Sequence, residues 1–406
     1  MTKASGGNLT RKLQRVLSSE WRMPVGRIRR RLETFEEIVG VTGSAGKSTT
    51  TRMIGAILAS RASVYVGAGL NTDRHVITQF AKSPPRARYW VQELSGHERE
   101  SLRRSIEFTR PTVAVVTNVQ FDHFSNHRDL DVTADTKGML VEAIGPDGTA
   151  ILNADDPRVK GMAARTSARV LTFGQSDEAD IRAVDWTEGL PGRLSIMVTD
   201  GTDEVHLQTA FASARWVPNF LAAIACAKAL GIPIAQSAEI LGSVEPGLYK
   251  DSVHEKHGLT FVLDTAKNPY WNIPGSIAAV AKARYKRRIM IFGTISHYPG
   301  SGSPKYRKTA QEALEAADIV IFYGKQSELV RKMANEYPNR LHVFPAFEAL
   351  RGFLNETLEP GDLVYAKSSG ADHLERVWHD ADRPISCVRD YCGRQKVCGR
   401  CRDLRR

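Results

Sequence analysis

The chain has 406 residues, 42% of them hydrophobic and 25% charged, which fits two or three globular domains with cores and excludes a disordered or fibrous chain. The formal net charge of +11 is unevenly placed: residues 1–31 carry +8 and residues 383–406 carry +6, leaving −3 for the body. With a mildly acidic body a general nucleic-acid-binding face is not expected, and with no apolar run long enough for a bilayer and no signal peptide the expected compartment is the cytoplasm.

The first segment has Leu9, Leu13, Val16 and Leu17 at helical spacing, with Arg11, Lys12 and Arg15 between them. It predicts a basic amphipathic helix within an extension spanning 1–34. Strand-like apolar runs follow at 38–42, 63–67, 88–94, 112–119 and 149–153, alternating with helical segments at 49–60, 97–108 and 133–144. This βαβ rhythm predicts a parallel sheet covered by helices. Residues 169–210 are richer in β-type and turn residues, and Phe220–Leu230 reads as a packed helix. A turn-rich stretch, Ser243–Tyr249, separates this 35–242 unit from a second alternation over 243–384. Its strands are expected at Thr260–Leu263, Arg288–Phe292, Asp318–Tyr323, Leu341–Phe344 and Asp362–Ala366. The fold class is therefore α/β: a P-loop central ATPase domain with a parallel sheet, a second Rossmann-like α/β domain, and a basic cysteine-rich tail over 385–406.

The most informative stretch joins the first strand to the first helix. It reads Thr42-Gly43-Ser44-Ala45-Gly46-Lys47-Ser48-Thr49, and Met53, Ile54, Ile57 and Leu58 follow at helical spacing. Glycines let backbone N–H groups curl around phosphate oxygens, Lys47 adds a point charge, and Ser48 can hold a magnesium ion. The strict Walker spacing asks for glycine where Val41 stands, so the loop is a variant. A plain surface turn seldom combines this context with Gly-Lys-Ser.

Further polar groups sit where apolar runs end, the edge at which open α/β sheets bind ligands. They are Glu93 in Trp90–Ser95, Asp122 and His123 after Thr117-Asn118, and Asp155 and Asp156 after Asn153. Lys137 lies on the helix after the second group, and Asp264-Thr265-Ala266-Lys267-Asn268-Pro269 opens the second domain. Each taken singly is also what a helix cap or a solvated turn looks like. Taken together and in this order, they resemble the Mur ligase family: murein peptide ligases, folylpolyglutamate synthase, cyanophycin synthetase and poly-gamma-glutamate synthase. The resemblance covers about 35–380.

The resemblance implies an ADP-forming ligase that joins a carboxylate to an amine through an acyl phosphate, with ATP and Mg2+ as cofactors. It assigns Lys47 and Ser48 to the phosphate loop and its magnesium, and Glu93 and His123 to a second magnesium. Lys137 takes the place of a lysine that many members carbamylate beside the metal. Asn219 matches the second asparagine of the adenine motif, and Asp264 the ribose-binding aspartate. Lys267 stands where the family has a histidine and is a counter-charge. Catalytic work is thus expected of Lys47, Glu93, His123 and Lys137. Nucleotide binding is expected of Thr42, Gly43, Ser44, Ala45, Gly46, Lys47, Ser48, Thr49, Asn219, Asp264 and Lys267. The metal ligands expected are Ser48, Glu93, His123 and Lys137.

Some positions depart from the family pattern. Arg215-Trp216 replaces the His-Asn of the adenine motif, with Trp216 a candidate to stack on the base, and no Gly-Arg-x-Glu appears near Glu245-Pro246-Gly247-Leu248-Tyr249. Some 35 residues precede the loop, too few for the UDP-sugar-binding domain of murein ligases, so a UDP-muramyl substrate is not expected. The partners expected are a carboxylate acceptor and an amino acid or amine, with an acidic partner or membrane surface at the basic ends. In the tail, Cys387, Cys392, Cys398 and Cys401 are candidates for a structural zinc, against the alternative of free thiols. His75, His254 and His297 have no partner visible in sequence. Two other readings stay open: a P-loop phosphotransferase, and an ATP-binding scaffold or switch that docks through basic ends.

Overall fold

The computed structural model describes residues 21–69, 71–82, 87–96, 98–121, 129–394 and 397–405. The first alternation builds one nine-stranded sheet. Its strands are β1 (Glu37–Thr42), β2 (Val64–Gly67), β3 (Tyr89–Glu93), β4 (Val113–Val116), β5 (Thr149–Asn153), β6 (Arg169–Gly174), β7 (Ile181–Thr187), β8 (Ser195–Thr199) and β9 (Glu204–Gln208). Their spatial order is β2-β3-β1-β4-β5-β6-β7-β8-β9. Pairs from β2 through β7 are parallel, and β7, β8 and β9 form an antiparallel extension from the β-rich stretch noted above. The strand order reverses at β1, which lies between β3 and β4. Loops leaving the carboxyl ends of β1 and β4 therefore part and open a crevice.

Helices cover both faces, so the central strands are apolar along their whole length rather than alternating. One face packs Met53, Ile54 and Ile57 of helix Lys47–Ala59 against Phe220, Leu221 and Ile224 of helix Val217–Ala229. That second helix is buried on nearly every side, and its alanines allow the close approach. The other face packs Phe80, Leu102, Ile106 and Leu140 around Trp90. These come from helices Asp73–Lys82, Arg99–Thr109 and Leu130–Glu142. Full burial of each such side chain stabilises the fold by about 1.5–3 kcal/mol. Helix Asp73–Lys82 was not among the expected elements. Only Val76, Ile77 and Phe80 are buried in it, too short an apolar stripe to register in sequence.

The second sheet has six strands, β10 (Ser252–Lys256), β11 (Leu259–Asp264), β12 (Arg287–Phe292), β13 (Ile319–Tyr323), β14 (Leu341–Phe344) and β15 (Asp362–Lys367). They lie in the order β10-β11-β15-β12-β13-β14. β10 pairs antiparallel with β11 as a hairpin, and the remaining pairs are parallel. The two units touch directly: Trp271 Nε1 donates to the Phe121 carbonyl at 2.9 Å, and Lys282 pairs with Glu188 at 2.9 Å.

The ends differ from simple extensions. The amphipathic segment at 9–17 lies outside the described residues. A helix over 21–32 precedes β1 and exposes Trp21, Val25, Ile28 and Leu32. At the other end the tail folds back, and Ile385, Cys398 and Leu404 enter the apolar core of the second unit. The buried Arg376 holds it there. Its guanidinium lies 3.8 Å from the Phe347 ring centroid and donates to the Arg389 carbonyl at 2.7 Å. No helix among the described residues is long and apolar enough to cross a membrane.

Candidate active site

The loop after β1 turns on two glycines in the left-handed half of backbone space, Gly43 at φ 142° and Gly46 at φ 78°. Asn118, after β4, holds its shape: the Ser44 and Ala45 N–H groups donate to Asn118 Oδ1 at 3.1 and 2.9 Å. Thr117 Oγ1 donates to the Ala45 carbonyl at 2.7 Å. Gly46 caps helix Lys47–Ala59 without a side-chain hydrogen bond, so the positive end of that helix faces the crevice with no side chain capping it. Lys47 Nζ donates to the Gly43 carbonyl at 2.6 Å.

Asn219 packs directly behind this turn, and its Nδ2 donates to Thr50 Oγ1 at 2.9 Å. A Cβ built on Gly46 would fall far inside van der Waals contact of Asn219 Nδ2. Gly46→Ala is therefore expected to abolish nucleotide binding and destabilise the protein by a few kcal/mol, because strain and clash act together. Calorimetric ATP titration and thermal denaturation check this, and an unchanged affinity refutes it.

Glu93 ends β3 beside the loop. Gly69 N–H and Asn71 Nδ2 each donate to its carboxylate at 2.6 Å. Burial raises the cost of its charge, but Lys47, a Ser48 hydrogen bond, Gly69 and Asn71 outweigh that and hold the carboxyl below its usual range. Ser48 and Glu93 therefore share one spot with two hard oxygen donors, a set suited to Mg2+.

Lys137 is buried and runs past Gly96, where an added Cβ would lie 2.9 Å from its Nζ. The Thr42 hydroxyl on the same side of the loop is buried and makes no hydrogen bond. His123 lies outside the described residues. Other acidic residues of these segments do structural work: Asp156 caps helix Pro157–Lys160, Asp155 accepts from Gln175 and Ser176 N–H groups, and Asp135, on helix Leu130–Glu142, pairs with Arg165 at 3.0 Å.

The second unit contributes a group that sequence reasoning passed over, Lys250. Burial depresses its pKa most, Arg52, Lys267 and Lys47 depress it further, and Glu93 acts against them. Lys47 and Arg52 from the first unit thus share one field with Lys250 and Lys267 from the second. A concentration of cations at a helix N-terminus is a receptor for a polyanion. Arg52 also reaches the junction, since a Cβ on Gly247 would lie 2.7 Å from its Nη1. Lys250 carried no motif, which is why it was missed.

Asp264 ends β11 and is buried with Arg215 and Lys367. Arg215 Nη1 lies 3.0 Å from Asp264 Oδ2, and Lys367 Nζ donates to the same oxygen. Arg215 also faces the buried Asp251 at 3.5 Å. Trp216 corrects an expectation. Rather than standing open as a stacking surface it is buried, donates through Nε1 to Asp251 Oδ2 at 3.1 Å, and packs edge-on against Phe211. The indole pins the two units because its N–H needs a partner when buried.

The tail cysteines also require correction. Cys387, Cys392, Cys398 and Cys401 do not form one four-sulfur group, although Cys387 packs in the same core as Cys398. Among the described residues the group whose ligand atoms lie within 4.8 Å of one another is His373, Glu375 and Cys398. The tail's return into the core, rather than local spacing, separates the pair Cys398 and Cys401: Cys398 is buried, while Cys401 Sγ accepts from Arg394 Nη1 at 3.2 Å.

Two family models match the chain, the Mur ligase middle domain over residues 41–227 and the Mur ligase glutamate ligase domain over 251–370. UDP-N-acetylmuramoylalanine–D-glutamate ligase of Anaeromyxobacter dehalogenans is 33% identical over 56% of this chain and 49% of its own length. The ligase of the same name from Pelotomaculum thermopropionicum is 29% identical over 82% of this chain and 70% of its own. The chain spans about half the length of the first of these relatives. Among solved structures, MurF from Acinetobacter baumannii superposes with a TM-score of 0.80 at 21% identity, over 89% of this chain and 80% of that one. MurF ligase from Thermotoga maritima in complex with ADP gives 0.78 at 19% identity, over 90% and 84%.

Proposed function

From the premise that the chain belongs to the Mur ligase family, we propose that it is an ATP-dependent, ADP-forming carboxylate–amine ligase. The observation that carries the reading is the gathering of Lys47, Arg52 and Lys267 around Lys250, drawn from both units, with Glu93 beside Lys47 and Lys250. A triphosphate lying there is bracketed by the phosphate loop on one side and by second-unit lysines on the other. On this reading the ligase units are 35–242 and 243–384, and the nucleotide lies between them.

The substrate carboxylate attacks the γ-phosphorus of ATP, giving an acyl phosphate and ADP. The amine then attacks the acyl carbon, and phosphate leaves as the amide forms. These steps crowd anions together, so charge neutralisation and positioning supply most of the rate. Lys47 and the amides of the first turn of helix Lys47–Ala59 hold the phosphates. Lys250 and Lys267 balance charge on the transferring group. Asn219 supports the adenine side, and Asp264 is held for the ribose by Arg215 and Lys367. Magnesium, held by Ser48, Glu93, His123 and a carbamylated Lys137, would neutralise phosphate oxygens when bound.

The test is phosphate release across a panel of carboxylate acceptors and amines, with mass spectrometry of the product. Release that needs both substrates and yields an amide supports the ligase. A stable phosphorylated product points instead to a phosphotransferase, and nucleotide binding without turnover to a switch. For Lys137, the expected result is that Lys137→Ala loses at least tenfold in activity and partly regains it in added short-chain carboxylic acids. Unchanged activity in the variant refutes the role.

A second reading concerns the helix over 21–32. Its exposed Trp21, Val25, Ile28 and Leu32 accompany a cavity of about 230 Å³ lined by Arg27, Arg30, Arg31, Arg104 and Arg110 together with a single carboxylate, Glu107, and the apolar Ile77 and Phe108. An apolar stripe beside an arginine-lined hollow suits an anionic membrane surface. The protein is expected to float with phosphatidylserine vesicles at low salt, and a Trp21→Ser, Ile28→Ser variant to stay behind. Equal behaviour of both proteins removes this reading.

A further inference from the structure

Where the tail returns over the second sheet, three side chains of metal-binding type are buried together. The ligand atoms of His373, Glu375 and Cys398 lie within 4.8 Å of one another. Their surroundings orient them toward a common point. His373 Nε2 lies 3.1 Å from the Arg394 carbonyl oxygen, which can only accept, so Nε2 carries the proton. That leaves Nδ1 directed inward, buried and outside hydrogen-bond geometry, 3.5 Å from Glu375 Oε1. Glu375 is fixed from behind by the Cys398 N–H, which donates to Oε1 at 3.0 Å.

An imidazole nitrogen facing a carboxylate in a buried pocket needs a cation between them, and the carboxylate accordingly raises the pKa of the ring. Without a metal, a proton on Nδ1 answers Glu375 only across 3.5 Å, at the long edge of hydrogen-bond range, while burial and the same carboxylate push the Cys398 thiol up and keep its proton on sulfur. A histidine whose far nitrogen donates to a backbone carbonyl is, by contrast, the usual outer arrangement of a metal ligand.

We propose that His373 Nδ1, the Glu375 carboxylate and the Cys398 thiolate bind one zinc-class divalent cation that fastens the carboxy-terminal tail to the second domain. Zinc bonds of about 2.0 Å to nitrogen and 2.3 Å to sulfur, at tetrahedral angles, place ligands about 3.5 Å apart. The histidine–carboxylate pair is already at that spacing, and the thiol needs at most about 1.3 Å of movement. Thiolate and imidazole favour zinc over magnesium, which separates this site from the nucleotide's. On binding, the Cys398 S–H bond breaks, a sulfur–metal bond forms, and the proton leaves to solvent. A fourth position would open toward a cavity of about 500 Å³ lined in part by His373, Glu375, Tyr391 and Arg394, from which a water would complete the tetrahedron. Cys387, which packs in the same core, and Cys392 and Cys401 take no part.

The site makes no use of the ligase reaction and is tested without it. The full-length protein is loaded with one equivalent of Zn2+ or Co2+ and dialysed against metal-free buffer. Retention of one equivalent is expected, with X-ray absorption showing a single sulfur among nitrogen and oxygen neighbours. Cobalt loading is expected to give a thiolate charge-transfer band that Cys398→Ser removes and Cys401→Ser keeps. Failure to retain metal, a shell with no sulfur, or one with two or more sulfurs overturns the proposal. Because absorption is read on the unaltered protein, a Cys398→Ser variant that fails to fold does not protect the proposal.

Discussion

Lys47→Ala is expected to lower turnover by about a thousandfold or more while leaving the fold intact, which corresponds to roughly 4 kcal/mol of transition-state stabilisation. The ammonium lies 2.6 Å from the Gly43 carbonyl, inside the curl of the loop, and within reach of Glu93. Its removal takes away a counter-charge that strengthens as negative charge shifts to the leaving oxygen. It also lets the Glu93 carboxyl rise toward the ordinary range and weakens that residue's grip on a cation. The side chain fills no part of the apolar core, so thermal denaturation should move little. Phosphate release with saturating substrates, beside circular dichroism, measures both. Near-normal turnover in a folded variant would remove the loop from the mechanism.

Arg215→Met is expected to destabilise the protein by about 3–5 kcal/mol, because it leaves two buried carboxylates with too little positive charge. The guanidinium lies between Asp264, 3.0 Å away, and Asp251, 3.5 Å away. Lys367 still bonds Asp264, and Trp216 Nε1 and Tyr365 OH still donate to Asp251. No other group replaces the second cation at these two carboxylates among the described residues. Arg215 belongs to the first unit and both aspartates to the second, so the loss should uncouple the units and broaden or split the thermal transition. The pH dependence has a definite sign. Burial opposes the Asp264 charge, but Arg215 and Lys367 together hold its carboxyl below the usual range. Its contribution is therefore complete above the ordinary carboxylate pKa and lost as pH falls through the depressed one. In the variant that loss should begin at higher pH. Denaturant unfolding at several pH values checks this, and a single transition within about 1 kcal/mol of the parent at every pH would show the cluster to be incidental.

The parts of the site that were legible in sequence are those whose chemistry is local. A phosphate loop needs glycines, a lysine and a hydroxyl at fixed spacing between strand and helix, so Gly43, Gly46, Lys47 and Ser48 announce themselves. Glu93 and Asp264 stand at strand ends, where parallel sheets place ligands, and their order along the chain completed the resemblance. Apolar runs flanked by helical periodicity gave away both sheets, since buried parallel strands are apolar throughout.

Other features depend on residues that meet only after folding. Lys250 lies in no motif, and only the packing of one unit on the other brings it beside Lys47 and Arg52, which share a helix. Arg215 and Lys367 are unremarkable in the chain, yet they neutralise Asp264 because β11 and β15 are neighbours and the segment before helix Val217–Ala229 reaches across. The tail cysteines show the same principle in reverse. Spacing in sequence grouped Cys398 with Cys401, but the apolar pull of Ile385, Cys398 and Leu404 into the second core decided the outcome. Burial is a property of the folded chain, and it set Cys398 beside His373 and Glu375 while leaving its neighbour in sequence on the arginine at the surface. Local backbone chemistry is written in a few adjacent residues and survives reading in one dimension. Charge balance and burial are sums over neighbours from distant parts of the chain, and only the tertiary structure supplies those neighbours.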